Sequence, residues 1–119
     1  MDKWQAIHAL WSGFGIPAYD ENSVLDAATY PYITYSAAVG DFENVVNLTA
    51  SIWYRSSSWA GISQMAESIS TQLSPYKTIP VNGGYLYITK GTPFAQRMRD
   101  EDDLIRRVYI ILQAEFMAP

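Results

Sequence analysis

At 119 residues, with 49% hydrophobic and only 17% charged side chains, residues 1–119 read as a single folded domain rather than a disordered segment, with apolar surface to spare for a partner. A formal charge of −4 argues against a nucleic-acid binder that relies on neutralising phosphates. The absence of cysteine excludes disulfides, a thiolate nucleophile and sulfur-ligated metals.

Trp4, Ile7, His8, Trp11 and Phe14 mark one face of a first helix over roughly residues 2–13, stopped by Gly13 and Gly15. Residues 16–29, with Pro17 and the polar run Asp20 to Ser23, read as a connection with little regular structure. Tyr30 to Ser36 is a first strand, Ile33 and Tyr35 opposing Tyr32 and Thr34, with Pro31 suited to a strand start or an edge. A linker at 37–42, containing Gly40-Asp41, is compatible with a hairpin into a long strand from Val45 to Arg55. There Val46, Leu48, Ala50, Ile52 and Tyr54 form a buried face, against Asn47, Thr49, Ser51 and Arg55. Ser56, Ser57 and Ser58 offer N-cap hydroxyls, and Trp59, Ile62, Ala66, Ile69 and Leu73 give the second helix its apolar stripe.

Ser74-Pro75 stops that helix, and Asn82-Gly83-Gly84 signals a tight turn. Tyr85 to Lys90 is a third strand. Gly91 to Asp103 reads as a loop, since it holds Pro93, two arginines and four consecutive acids. Leu104 to Met117 alternates as a last strand, with Val108, Ile110, Leu112, Ala114 and Phe116 on its apolar side. The fold expected is α+β: a mostly antiparallel four-stranded sheet with two helices packed on one face, in the order α-β-β-α-β-β.

Both helices on one face leave the other face to solvent, yet Val45, Trp53, Tyr85, Tyr87, Tyr109 and Ile111 fall there. Scattered surface aromatics are ordinary. A protein-binding face is the sharper reading, because Trp and Tyr most often anchor interfaces. Charge is also divided along the chain. Asp2, Asp20, Glu21, Asp26, Asp41 and Glu43 stand against Lys3 alone in the first fifty residues, whereas five of the eight basic residues lie at or beyond Lys90. That asymmetry suits head-to-tail contacts between copies.

No constellation for catalysis emerges, so an enzyme is not expected. His8 is the only histidine and reads as a packed core residue; a nucleophile–base pair would need Ser or Thr with Lys or a carboxylate, and no spacing places one. Arg97, Arg99, Asp100, Glu101, Asp102 and Asp103 form the densest charged cluster. It lacks the spacing and the glycine of a calcium loop, so a solvated loop or an inter-subunit salt-bridge segment is expected and a metal is not. Asn47-Leu48-Thr49 matches a glycosylation sequon in mid-strand, and Gly83-Gly84 has no following helix to cradle a phosphate, so neither sugar nor cofactor is expected. With no leader-like start and no apolar run approaching 18 residues, the expectation is a soluble protein kept inside a cell, without a membrane partner.

The first helix and connection, Pro31-Tyr32-Ile33-Thr34-Tyr35, the long strand through Ile52-Trp53-Tyr54-Arg55 and the helix Ala60 to Leu73 together resemble the tail terminator (tail completion) proteins of long-tailed bacteriophages and prophages. The resemblance covers most of the chain and lies in element order and aromatic-rich strands. It implies a small α/β subunit that forms a ring with itself, typically a hexamer, at the head-proximal end of the tail tube. Its partners would be the tail-tube protein and a head-completion or connector protein, without sequence-specific nucleic acid. Its place would be the tail or neck of the virion, reached from the host cytoplasm during assembly. Ring contacts would come from sheet edges and loops, here Trp53, Tyr109, Ile111 and Arg97 to Asp103. The alternative class is a small ligand-binding or enzymatic α+β domain with a pocket between helices and sheet.

Overall fold

The computed structural model describes residues 1–24, 26–36, 42 and 44–119. The expected hairpin linker through Gly40-Asp41 lies outside the described residues.

Helix α1 (Lys3–Ser12) starts with a reciprocal capping box: Gln5 N–H donates to Asp2 Oδ1 at 2.8 Å, and Asp2 N–H to Gln5 Oε1 at 2.9 Å. Its buried face is Ala6, Ile7, Leu10 and Trp11. The expected face through Trp4 and His8 was set about one residue off: Trp4 is 54% exposed, and His8 is also exposed rather than a core histidine. Two large residues spaced four apart outweighed Ala6 and Leu10 in the pattern, although a stripe over 6, 7, 10 and 11 satisfies helical period equally well.

Strands β1 (Ala18–Asp20), β2 (Tyr32–Tyr35) and β3 (Val46–Arg55) follow, then α2 (Ala60–Gln72), then β4 (Lys77–Val81), β5 (Gly84–Met98) and β6 (Ile105–Met117). All six strands form one mixed sheet in the order β1-β2-β3-β6-β5-β4, with β1 parallel to β2 and every other pair antiparallel. The four-stranded sheet and the order α-β-β-α-β-β are therefore corrected to six strands in the order α-β-β-β-α-β-β-β. Both missed strands lie at sheet edges. β1 has three residues, too few to display alternation; β4 shows only Ile79 and Val81 inward and carries Pro80, which an edge strand tolerates because it need not donate on its free side.

The other correction is to the presumed loop at Gly91 to Asp103. Its first part is strand: β5 runs on to Met98 and pairs Ala95 to Met98 with Ile110 to Arg107. Between Lys90 and Ala95 the ladder slips, β5 advancing five residues while β6 advances two, from Leu112 to Ile110. The extra residues form a bulge that takes up Pro93, whose missing N–H would interrupt a regular ladder. Gly91 sits against Ile111 so closely that a Cβ there would lie 2.7 Å from the Ile111 carbonyl oxygen. Gly and Pro read as loop signals here mark a bulge inside one long strand. The turn between β4 and β5 does occur at Asn82-Gly83, where Gly83 takes φ 84°.

Inward residues of the strands, among them Ile33, Leu48, Ile52, Ile88, Val108, Ile110 and Leu112, share one core cluster with Ile7, Leu10 and Trp11 of α1 and Ile62 and Ile69 of α2. Helix α2 packs on the central strands β3 and β6, whereas α1 touches β1 and β4. Because those two are the outermost strands, the sheet curls until both edges reach one helix, whose body is about 10 Å across.

Candidate interaction surfaces

On the convex face of the sheet the outward residues of the ladder align in rows. Tyr32, Trp53, Arg107 and Met98 are paired across β2, β3, β6 and β5; Thr34, Ser51, Tyr109 and Gln96 form the next row, and Thr49 faces Ile111 beyond it. Alternation within each strand places them together. Tyr32 stacks on Trp53 with ring centroids 6.4 Å apart, and Tyr30 and Tyr19 lie 5.2 and 6.0 Å from Tyr32. The Arg107 guanidinium covers the other side of the group, 4.9 Å from the Trp53 ring centroid.

Polar contacts fix these side chains. Trp53 Nε1–H donates to Thr34 Oγ1 at 2.9 Å, and Arg107 Nε–H donates to Ser51 Oγ at 2.9 Å; Ser51 is itself buried beneath them. Burial, with a smaller contribution from neighbouring Tyr30, raises the phenol pKa of Tyr32 above its ordinary value. The result is a hydrogen-bonded aromatic platform with one positive charge.

A second feature lies at the start of α2, on the concave side. Arg97 and Arg106 both lie over Trp59, at 4.8 and 5.0 Å from its ring centroid, and with Arg99, Asp100 and Asp103 they line a cleft of about 360 Å³. Arg97 Nη2 donates to Ser63 Oγ at 3.3 Å, and Arg106 Nη2 to the Ser57 carbonyl at 2.9 Å.

The structure thus divides the residues expected at an interface. Trp53, Tyr109 and Ile111 share the convex face and are each half-buried. Arg97 belongs to β5 and faces α2, away from them. Residues 99–104 form the short turn from β5 to β6, in which Asp100 and Asp102 bind their own backbone: Asp102 N–H donates to Asp100 Oδ1 at 3.0 Å and Leu104 N–H to Asp102 Oδ1 at 2.8 Å. Asp102 also lies 3.9 Å from Arg55. Glu101 and Asp103 are exposed on this turn. Among the described residues no three His, Asp or Glu side chains converge on a point where a metal would sit.

Tyr19 and Tyr30 escaped the sequence reading of the convex face, and Tyr32 and Arg107, though alternation puts them on the outer side of their strands, were not singled out. The opposition of Tyr32 to Ile33 carried the signal for one of them, but joining them to Trp53 requires the register. Trp59 was assigned to the core stripe of α2; it is the residue before the helix, half-buried, and serves as the surface on which two arginines rest. His8 Nδ1 lies 2.8 Å from the Tyr35 hydroxyl and its Nε2 3.2 Å from Ser12 Oγ.

No protein-family model matches the sequence, and no curated protein matches it. Among solved structures, the fold is similar to that of a chain in the structure described as the virion of a native gene transfer agent (GTA) particle, with a TM-score of 0.63 over 97% of this chain and 94% of that one. At 16% identity the likeness is one of fold.

Proposed function

We propose that the chain is a structural protein of a phage or prophage virion, a tail terminator or head–tail joining subunit that forms a ring, caps the tail tube and docks to the head without catalysing a reaction. The observation that carries this reading is the fold shared, end to end in both chains, with a component of a GTA virion. The sequence resemblance to tail terminators points the same way, and the convex aromatic platform supplies a surface of the composition that protein interfaces favour. Its partners are then further copies of itself, a tail-tube protein and a head-completion or connector protein.

Negative-stain imaging of tail tubes assembled with and without the purified protein tests the reading. Tubes of fixed length ending in a ring of added density are expected. Tubes that elongate unchecked, with ends free of density, would overturn the terminator role.

A further inference from the structure

Helix α2 is electrostatically lopsided. At its C-terminal end Lys90 Nζ donates to Ser70 and Ser74 hydroxyls at 3.0 and 2.7 Å, a cation where the helix dipole favours one. At its N-terminal end, where the dipole favours an anion, the first turn holds no acidic residue; the Ser58 hydroxyl accepts from Ala60 N–H at 3.0 Å, Trp59 provides no side-chain cap, and Arg97 and Arg106 rest on Trp59. Among the described residues the ion pair is Arg55–Asp102, so Arg97, Arg99 and Arg106 have no carboxylate within 4.0 Å. The Arg106 Nε is buried and has no hydrogen-bond partner, a donor whose lost hydration nothing within the subunit repays. Asp100 and Asp103 border the cleft, but Asp100 is engaged by the Asp102 backbone. Three guanidiniums in the cleft outnumber two carboxylates, one of them committed.

We propose that this cleft receives carboxylates of a second copy of the chain, supplied by Glu21 on the turn that follows β1 and by Asp26 in the connection beyond it. The inference deepens the assembly reading above and rests on it. Glu21 stands on a turn held by three hydrogen bonds, from Glu21 N–H to the Tyr35 carbonyl and from Ser23 and Asn22 N–H to Asp20, each 2.9 Å. Glu21 and Asp26 are exposed, and among the described residues no cation pairs with either. Asp2, by contrast, caps α1, and Glu67 lies on α2 itself. The donor turn is at β1 and the cleft at β5 and β6, separated by three to four strand spacings of about 4.8 Å each. A contact between two different patches is heterologous and repeats from copy to copy, closing into a ring where the rotation permits.

The test uses the full chain in sedimentation velocity over a concentration series, at low and high salt. The Arg97→Glu, Arg99→Glu double variant and the Glu21→Arg, Asp26→Arg double variant should each weaken self-association by about tenfold or more. An equimolar mixture of the two should recover it, because the reversed cleft of one meets the reversed turn of the other. All four side chains are exposed, and because Arg97→Glu also gives up the contacts to Trp59 and Ser63, cooperative melting above the temperature of the assay verifies that each variant stays folded. A parent that remains monomeric throughout, variants that associate like the parent, or a mixture that recovers nothing would overturn the proposal. So would duplex DNA that binds the parent and not the Arg97, Arg99 variant while self-association is untouched, which would make the cleft a phosphate site. Imaging the variants with tail tubes separates the two levels: rings that persist on the tubes leave the virion role standing while the cleft contact falls.

Discussion

Ile52 lies between Ile33 and Val108 in the ladder, and Leu112 pairs with Leu48; all are buried inward. Truncating either Ile52 or Leu112 to alanine leaves a void among fixed neighbours and should cost about 2–5 kcal/mol in denaturant unfolding. Parent-like stability in both variants would mean that the buried face had been assigned to the wrong side of the strand. Both positions were legible from alternation alone. Tyr32 tells a different story, since its surroundings come from three strands. Burial, reinforced by Tyr30 and Tyr19, raises its pKa, so the fold prefers the neutral phenol. Its contribution to stability is complete below the ordinary phenol value of about 10 and is lost as pH climbs through the higher folded value. Alkaline melts of Tyr32→Phe should therefore decline less steeply above that pH than those of the parent.

Elements were readable where a pattern lasted ten residues or more and failed where it was short or interrupted. β3 and β6 each repeat their alternation over ten or more residues and were placed to within a residue. β1 and β4 are too brief for periodicity to outweigh Pro17 and Pro80. β5 was cut in half because Gly91 and Pro93 carry the same composition whether they end a strand or bulge it, and the pairing of Ala95 with Ile110 is a fact of the partner strand. Amide exchange on the isolated subunit discriminates between the two descriptions. Ladder amides in 95–98 should be protected like those of β6, with residues 99–104 exchanging faster. Equal, rapid exchange across 91–104 would restore the loop.

At the scale of the molecule the two helices are used differently. α2 covers the middle of the concave face and α1 spans its edges, so apolar residues of that face are consumed in the core. Among the described residues, the convex face and the rim at the start of α2 are left to offer to a partner, besides single exposed side chains such as Trp4 and Tyr76. The sequence revealed the convex surplus as Trp53, Tyr109 and Ile111, because these residues break the polar side of otherwise regular strands. The rim was legible only in part: Arg97, Arg99, Asp100 and Asp103 were expected at an interface, whereas Trp59 fits a core stripe and Arg106 joins Arg97 over it only once β5 and β6 are aligned. Trp53 offers the clearest test of the convex face. Its indole is half-buried between Tyr32 and Arg107 and tied to Thr34 Oγ1, a pre-ordered aromatic anchor of the kind that dominates interface energies. Trp53→Glu places a carboxylate where a partner's apolar surface would have to desolvate it, while the side chain itself keeps access to water in the free subunit. Self-association measured by light scattering should fall by more than tenfold, about 1.4 kcal/mol or more at the contact, with the subunit still folded by circular dichroism. Trp53→Phe keeps the ring but loses the bond to Thr34 and should fall between the two. If Trp53→Glu assembles as the parent does, the convex face is solvent-facing in the assembly and the rim at α2 must hold the copies together.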